Sequence, residues 1–330
     1  MSNKIKAMAI LFVIVSLFLV TGCGEQEEVG TKGLEYALLD DGTYSVSMGI
    51  AGDSDNIVIP YRYKGKSVTA IADRGFEGCE SLTSITIPDS VISIGEYAFY
   101  GCSGLKSVVI PDSVTMIGRQ AFWYCFGLTN VTISNGVSKI QYSTFNNCDS
   151  LTKITIPYGI TEIGDSAFSG CDNLTSITIS DSVTTIGDSA FVDCKSLTKV
   201  TIPDSVTKIK AGAFKGCEKL NSITIPDSIT QINDSTFEGC LSLTSINILG
   251  SVTKIGDDAF SECTSLISIT IPDSVKEIGS WAFARCTSLT NINYLGLRKQ
   301  WGEVNKGVRW DYKIPARTLV CSDGEVPIKI

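Results

Sequence analysis

Ten cysteines stand at equal intervals of 23 residues: Cys79, Cys102, Cys125, Cys148, Cys171, Cys194, Cys217, Cys240, Cys263 and Cys286. Thiols in this number permit metal ligation, disulfide formation or burial as small apolar groups. A metal needs ligands that converge on one point, whereas equal spacing sends these side chains out in parallel from successive turns of chain. Disulfides need Cβ atoms about 3.8 Å apart, and parallel side chains on stacked strands lie about 4.8 Å apart. The spacing therefore points to free thiols packed in a column. The chain has no histidine, which removes the usual general base and every Ser-His-Asp or Cys-His arrangement. Nor does it hold a glycine-rich phosphate loop, a Gly-x-Ser-x-Gly elbow or a Cys-x-x-Cys pair. These absences argue against an enzyme and call for neither a cofactor nor a metal.

A second recurrent set is acidic. Asp89, Asp112, Asp181, Asp204, Asp227 and Asp273 share one place in their units, after a proline in most. A calcium ladder and a side chain capping its own turn are the two readings. Each unit offers one carboxylate there, and Asn135, Tyr158 and Gly250 interrupt the row, which favours caps.

A third set is neutral. Thr86, Thr132, Thr155, Thr178, Thr201, Thr224 and Thr270 occupy one outward strand position, with Val109, Asn247 and Asn293 in the remaining units. Together with Ser84, Ser107 and Ser176 two residues earlier they form a flat hydroxyl face. It serves solubility and strand propensity, or docks a protein or glycan. An ice-binding lattice is a further reading, but Lys153 and Lys199 break the lattice. Aromatics gather in a few units: Tyr100 and Trp123 both lie two residues before their cysteine, with Tyr124, Tyr97, Phe126, Tyr142 and Tyr158 in the same units. Exposed aromatics in one region anchor binding surfaces; packing between loops is the alternative. Tyr100, Trp123, Tyr124 and the seven threonines are the candidate binding residues.

These side chains need elements to carry them. A phenylalanine precedes each cysteine of the column by three residues and a leucine follows by three. In the second unit Val108 and Ile110 are β-branched and two apart, so Ser107 to Ile110 reads as a short strand with one buried face. Pro111-Asp112-Ser113 turns the chain. Ile117, Ala121 and Cys125 fall at helical spacing and predict a short helical or 3₁₀ turn, with Gly118 relaxing its entry. One unit buries too little to order itself, so the units must stack. The expectation is a mainly β solenoid of ten 23-residue units with short helical or 3₁₀ turns, roughly 45–50 Å long.

Leu82-x-x-Ile85-x-Ile87 and its copies resemble the strand half of a leucine-rich repeat. The fuller pattern, Ala-Phe-x-x-Cys-x-x-Leu-x-x-Ile-x-Ile-Pro-x-x-Val-x-x-Ile-Gly, resembles the BspA-type leucine-rich repeats of bacterial surface proteins. The resemblance implies a right-handed leucine-rich-repeat solenoid with N- and C-terminal caps, and adhesion or host-protein binding in some relatives. The asparagine of longer eukaryotic repeats is absent, and Pro-Asp-Ser holds its place. Ser134-Asn135-Gly136 and Pro157-Tyr158-Gly159 depart from the pattern.

The chain divides by composition. Residues 1–22 read as an export signal, with Lys4 and Lys6 before an apolar run from Ala7 to Val20. Val20-Thr21-Gly22-Cys23 resembles a lipoprotein cleavage box, which implies lipidation of Cys23; an ordinary signal with an incidental cysteine is the alternative. Residues 23–33 read as a flexible tether. Residues 34–67, with an Asp41-Gly42 hairpin turn, form the N-terminal cap. The repeat solenoid spans 68–296 and a C-terminal cap 297–330. In that cap Trp301 and Trp310 either close the core or offer a ligand platform. The net charge of −8 makes nucleic acid a poor partner. The expectation is an exported lipoprotein, held to the membrane by its lipid. It would act as an adhesin-like scaffold for an unknown protein or glycan of host or cell envelope. A structural envelope component without a dedicated ligand is the other reading.

Overall fold

The computed structural model describes residues 30–52, 54–248 and 250–328. The signal segment and Cys23 lie outside the described residues. Each unit contributes two short strands. One is the expected strand, such as Ser107–Val109, with Val108 buried between two exposed neighbours. The other is a two-residue strand at the Val-x-x-Ile step, such as Met116–Ile117. Both pair in parallel with their counterparts one unit away. Ser222 lies against Ser245, Ile223 against Ile246 and Thr224 against Asn247; on the second sheet, Lys254 lies against Glu277 and Ile255 against Ile278. An unbroken 23-residue register therefore sets like over like, and each apolar column closes on itself.

The ten ladder phenylalanines fill the centre. Successive rings stack at 5.0 to 5.8 Å between centroids and within 16° of parallel. All ten rings are fully buried. Each of the eight interior rings is covered above and below by its own kind, so aromatic area leaves water without any change of side chain along the axis.

No continuous helix forms over Ile117, Ala121 and Cys125, but isolated 3₁₀-type turns do: the N–H groups of Trp123 and Cys125 donate to the carbonyls of Gln120 and Phe122 three residues back, at 3.1 and 3.3 Å, while the alternate donors leave the coil. Tyr97, Phe99 and Gly101 donate their N–H groups forward to the carbonyls of Arg119, Ala121 and Trp123 in the next coil. A helix needs those donors within its own turn, and stacking claims them first. Two residues per unit sit in the left-handed region to permit this, as at Gln120 (φ 56°) and Tyr124 (φ 61°).

Gly118 has a different task from the one expected. A Cβ on it would lie 2.5 Å from the Glu96 nitrogen, and one on Gly279 would lie 2.4 Å from that of Asp257. The residue is glycine for close approach of coils, not for backbone freedom. Glycines at this position donate N–H to the preceding isoleucine carbonyl, as Gly118 does to Ile94 at 2.8 Å. The second sheet is interrupted where Gln141 and Asn233 take the position, between strands Met116–Ile117 and Lys139–Ile140 and again between Lys208–Ile209 and Gln231–Ile232. Lys210 also replaces the glycine, yet its N–H still reaches Ile186 at 3.0 Å. The main sheet lapses once, between Asn130–Thr132 and Lys153–Ile156, beside the irregular turn at Ser134-Asn135-Gly136.

Both ends add an irregular coil. Strands Glu35–Leu38 and Tyr44–Ser47 form the antiparallel hairpin about Gly42 (φ 83°). Tyr44–Ser47 then pairs with Lys66–Ile71, and Asn56–Val58 with Ser84–Thr86, so the segment before the repeats supplies a rung to each sheet. At the far end a helix over Arg298–Glu303 precedes a last coil. Trp310 meets the final ladder ring, Phe283, edge-on at 6.1 Å, and Trp301 packs on Trp310 at 5.8 Å. Both tryptophans are buried, so they close the core. Lys306 stands in register with Ile278. Burial lowers its pKa, and its ammonium donates to the Trp301 and Val304 carbonyls at 2.7 and 2.8 Å. Among the described residues no helix is long and apolar enough to cross a membrane.

Candidate functional site

The cysteine column lies inside. Cys102 through Cys286 are fully buried free thiols, and Cys79 at the first rung is half-buried. Packing is only part of their role. Each buried thiol donates to the carbonyl of the phenylalanine one coil back, from Cys102 to Phe76 at 3.0 Å through Cys286 to Phe260 at 3.1 Å. Sequence reasoning missed this bond. The Phe-x-x-Cys spacing was the available signal, because that phenylalanine carbonyl also receives the N–H of its own cysteine, as Phe99 does from Cys102 at 3.1 Å. Burial pushes the thiols of Cys171, Cys240 and Cys286 up to about 12. Such thiols are protonated and shielded, and do no nucleophilic chemistry.

The recurrent aspartates do not cap their turns. Asp89, Asp181, Asp204 and Asp227 are exposed, and of the set only Asp112 accepts a backbone N–H, from Asn135 one coil on, at 3.4 Å. The neighbouring serine fastens the turn instead. Ser90, Ser113, Ser205, Ser228 and Ser274 donate to the carbonyl of Val68, Val91, Val183, Val206 and Val252 in the preceding coil, at 2.5–2.8 Å. Gly136 and Gly159 lack that hydroxyl, and the Gly159 N–H instead donates to Ser182 Oγ in the next coil at 3.2 Å. A carboxylate pointing to water gains little from bonding a backbone N–H that the solenoid already uses.

The outward threonines are where the sequence places them. Thr86, Thr132, Thr155, Thr178, Thr201 and Thr224 are exposed and Thr270 is half-exposed. Thr155 lies against Thr178 and Thr201 against Thr224. The row is not one lattice, because the main-sheet lapse separates Thr132 from Thr155 and Val109 is 63% exposed within it.

The aromatics do meet. Trp123 stacks on Tyr124 at 4.8 Å, and Tyr100 contacts both, at 5.3 and 5.8 Å. Tyr97 joins through Tyr100 at 6.0 Å and Phe126 through Tyr124 at 5.4 Å. Arg74 lies over the Tyr97 ring at 4.3 Å. The rings are half-buried, except Phe126, which is exposed. Tyr142 and Tyr158 are exposed and make no ring contact with the cluster. The Trp123 indole N–H is buried without a hydrogen-bond partner among the described residues. Tyr124 sits in left-handed backbone, where Gly78, Gly101, Gly170, Gly216 and Gly239 stand in other units and Asn147, Asp193, Glu262 and Arg285 in the rest. A large side chain at such a position is strained by about 1–2 kcal/mol.

The family described as BspA type leucine-rich repeat region matches residues 69–198 and 184–303, in six copies. No curated protein matches the chain. Solved structures do. A leucine-rich repeat protein from Bacteroides ovatus is 26% identical, over 86% of this chain and 91% of that one, with a TM-score of 0.53. A leucine-rich cell surface protein from Faecalibacterium prausnitzii is 31% identical, over 86% of this chain and 99% of that one, with a TM-score of 0.48. A leucine-rich repeat protein from Eubacterium ventriosum is 21% identical, over 86% and 93%, with a TM-score of 0.52; that likeness is one of fold.

Proposed function

The chain belongs to the BspA-type leucine-rich repeat family, and from that membership we propose that it is an exported, lipid-anchored scaffold that binds a protein or glycan at the cell surface. Recognition is non-covalent and uses a rigid face spread over many coils. Two surfaces serve it: the outer hydroxyl face of the main sheet, and the cluster of Tyr100, Trp123 and Tyr124. The observation that carries the reading is the Trp123 indole N–H, buried and unpartnered within a half-exposed aromatic cluster. A donor in that state gains a bond when an acceptor arrives, and the rings around it exclude water from that bond. The anchoring half of the reading rests on Val20-Thr21-Gly22-Cys23 in the sequence. A multiply acylated cysteine holds stably, at about 0.8 kcal/mol per buried methylene.

Crosslinking capture on intact cells tests both halves. The triple variant Tyr100→Ala, Trp123→Ala, Tyr124→Gly is expected to lose a saturable partner while keeping its thermal transition. Undiminished capture ends the aromatic reading. Cys23→Ala is expected to move the protein from the membrane fraction to the soluble fraction; continued membrane association ends the lipid-anchor reading.

A further inference from the structure

The outer face of the main sheet carries a groove of about 660 Å³ across the first three repeat coils, within the roughly 300–1,000 Å³ typical of ligand clefts. Its floor includes Thr86, Val109 and Thr132, and its rim Asp89, Asp112 and Asn135. It lies beside the single lapse of the main sheet, where Asn130–Thr132 and Lys153–Ile156 do not pair. No lysine or arginine lines it. Among the described residues the Asp89 carboxylate has no partner, and that of Asp112 accepts only the long bond from the Asn135 N–H at 3.4 Å.

Ser134 is a second and independent sign. It lines the groove, is 6% exposed, and its Oγ is buried without a hydrogen-bond partner. Proline occupies the same position at Pro88, Pro111, Pro157, Pro203, Pro226 and Pro272, where no polar side-chain atom arises. Ser180 is the other serine there, and it is satisfied: its Oγ donates to Pro157 at 2.9 Å and meets Ser182 at 2.8 Å. A hydroxyl held in a groove without a partner is a cost that a ligand polar atom removes.

We propose that this groove binds an extended, arginine-bearing segment of a partner protein. Asp89 and Asp112 stand one coil apart, about 4.8 Å, a separation that one planar guanidinium spans by offering separate N–H donors to each carboxylate. The arginine methylenes lie over Val109, which is 63% exposed, as long cationic side chains do on apolar surface. A main-chain amide of the segment bonds the Ser134 hydroxyl. The inference rests on the reading of the outer sheet face as a recognition surface, and names the chemistry of what it recognises.

The test is fluorescence anisotropy of a labelled extended peptide of alternating arginine and valine, titrated with the whole protein. Saturable binding that weakens with salt is expected. Asp89→Asn with Asp112→Asn should weaken it at least tenfold, and Ser134→Ala several-fold. Asp204→Asn with Asp227→Asn, on the same rim but outside the groove, should leave it unchanged. All four aspartates are exposed, so an unchanged thermal transition certifies the fold of each variant. Absence of saturable binding, or equal weakening by the Asp204 and Asp227 pair, overturns the proposal. Capture of a cell-derived partner by the aromatic cluster is a separate readout, so this inference can fall while the broader reading stands.

Discussion

The thiol of Cys194 donates to the carbonyl of Phe168 at 3.2 Å across the gap between two coils. The same carbonyl accepts the N–H of Cys171 at 3.2 Å, so one oxygen ties its own coil and the next. Cys194→Ala removes donor and sulfur together and should cost about 1–3 kcal/mol. Cys194→Ser keeps a donor and should cost less. Equal shifts of the urea midpoint in the two variants would reduce the contact to packing alone.

Accessibility separates the first thiol from the rest of the column. Cys79 is half-buried, whereas every later thiol of the column is fully buried and donates to a phenylalanine carbonyl. A short pulse of alkylation of the native protein, mapped by mass spectrometry, should label Cys79 before any of Cys102 to Cys286. Comparable labelling of an interior rung would show that the coils open locally.

Alkaline stability follows from the same column. Burial raises the interior thiols, to about 12 at Cys171, Cys240 and Cys286, above the roughly 8.5 of an unfolded thiol. Their contribution is complete below pH about 8.5 and is lost as pH climbs toward 12. Across that window each thiol removes about 1.4 kcal/mol per pH unit. Urea midpoints measured from pH 8 to 11 should fall steeply, and replacing interior cysteines by alanine should flatten the fall.

Phe191 is stacked on both sides, at 5.5 Å from Phe168 and 5.4 Å from Phe214. Phe191→Ala should destabilise by about 3–5 kcal/mol. Because each coil contacts only its neighbours, hydrogen exchange should rise most in the coils flanking residue 191. A uniform rise along the solenoid would show cooperativity longer than one interface.

Tyr124 occupies left-handed backbone at φ 61°. If its ring serves binding at the expense of the fold, Tyr124→Gly should leave stability unchanged or raise it by about 1 kcal/mol. Partner capture should weaken in the same variant. A clear loss of thermal stability would show that ring packing outweighs the strain.

Much of this was legible along the chain because a constant spacing decides which side chains overlie one another. Ile223, Phe214 and Cys217 are buried, and Thr224 is exposed, as alternation and period require. The aromatic cluster was half legible. Tyr100 and Trp123 share a column, so their contact follows from the register, whereas Tyr158 stands apart because it falls on the turn after the strand. The serine bridges were hidden, since Pro-Asp-Ser offers two side chains able to cap a turn and only the separation of the coils selects the hydroxyl.

The sequence alone determined the period, the inward columns and the outward faces, because equal repeats can bury their apolar stripe only by stacking. The tertiary structure decided where each hydrogen bond goes. Ile117, Ala121 and Cys125 have helical spacing, but the alternate N–H groups of Gln120, Phe122 and Tyr124 find carbonyls on the adjacent coil, and donors spent between coils leave only isolated turns within one. It also decided where the ladders lapse, at Gln141, Asn233 and the Ser134 turn, because the closeness of two backbones is a property of neighbouring coils together and not of either one.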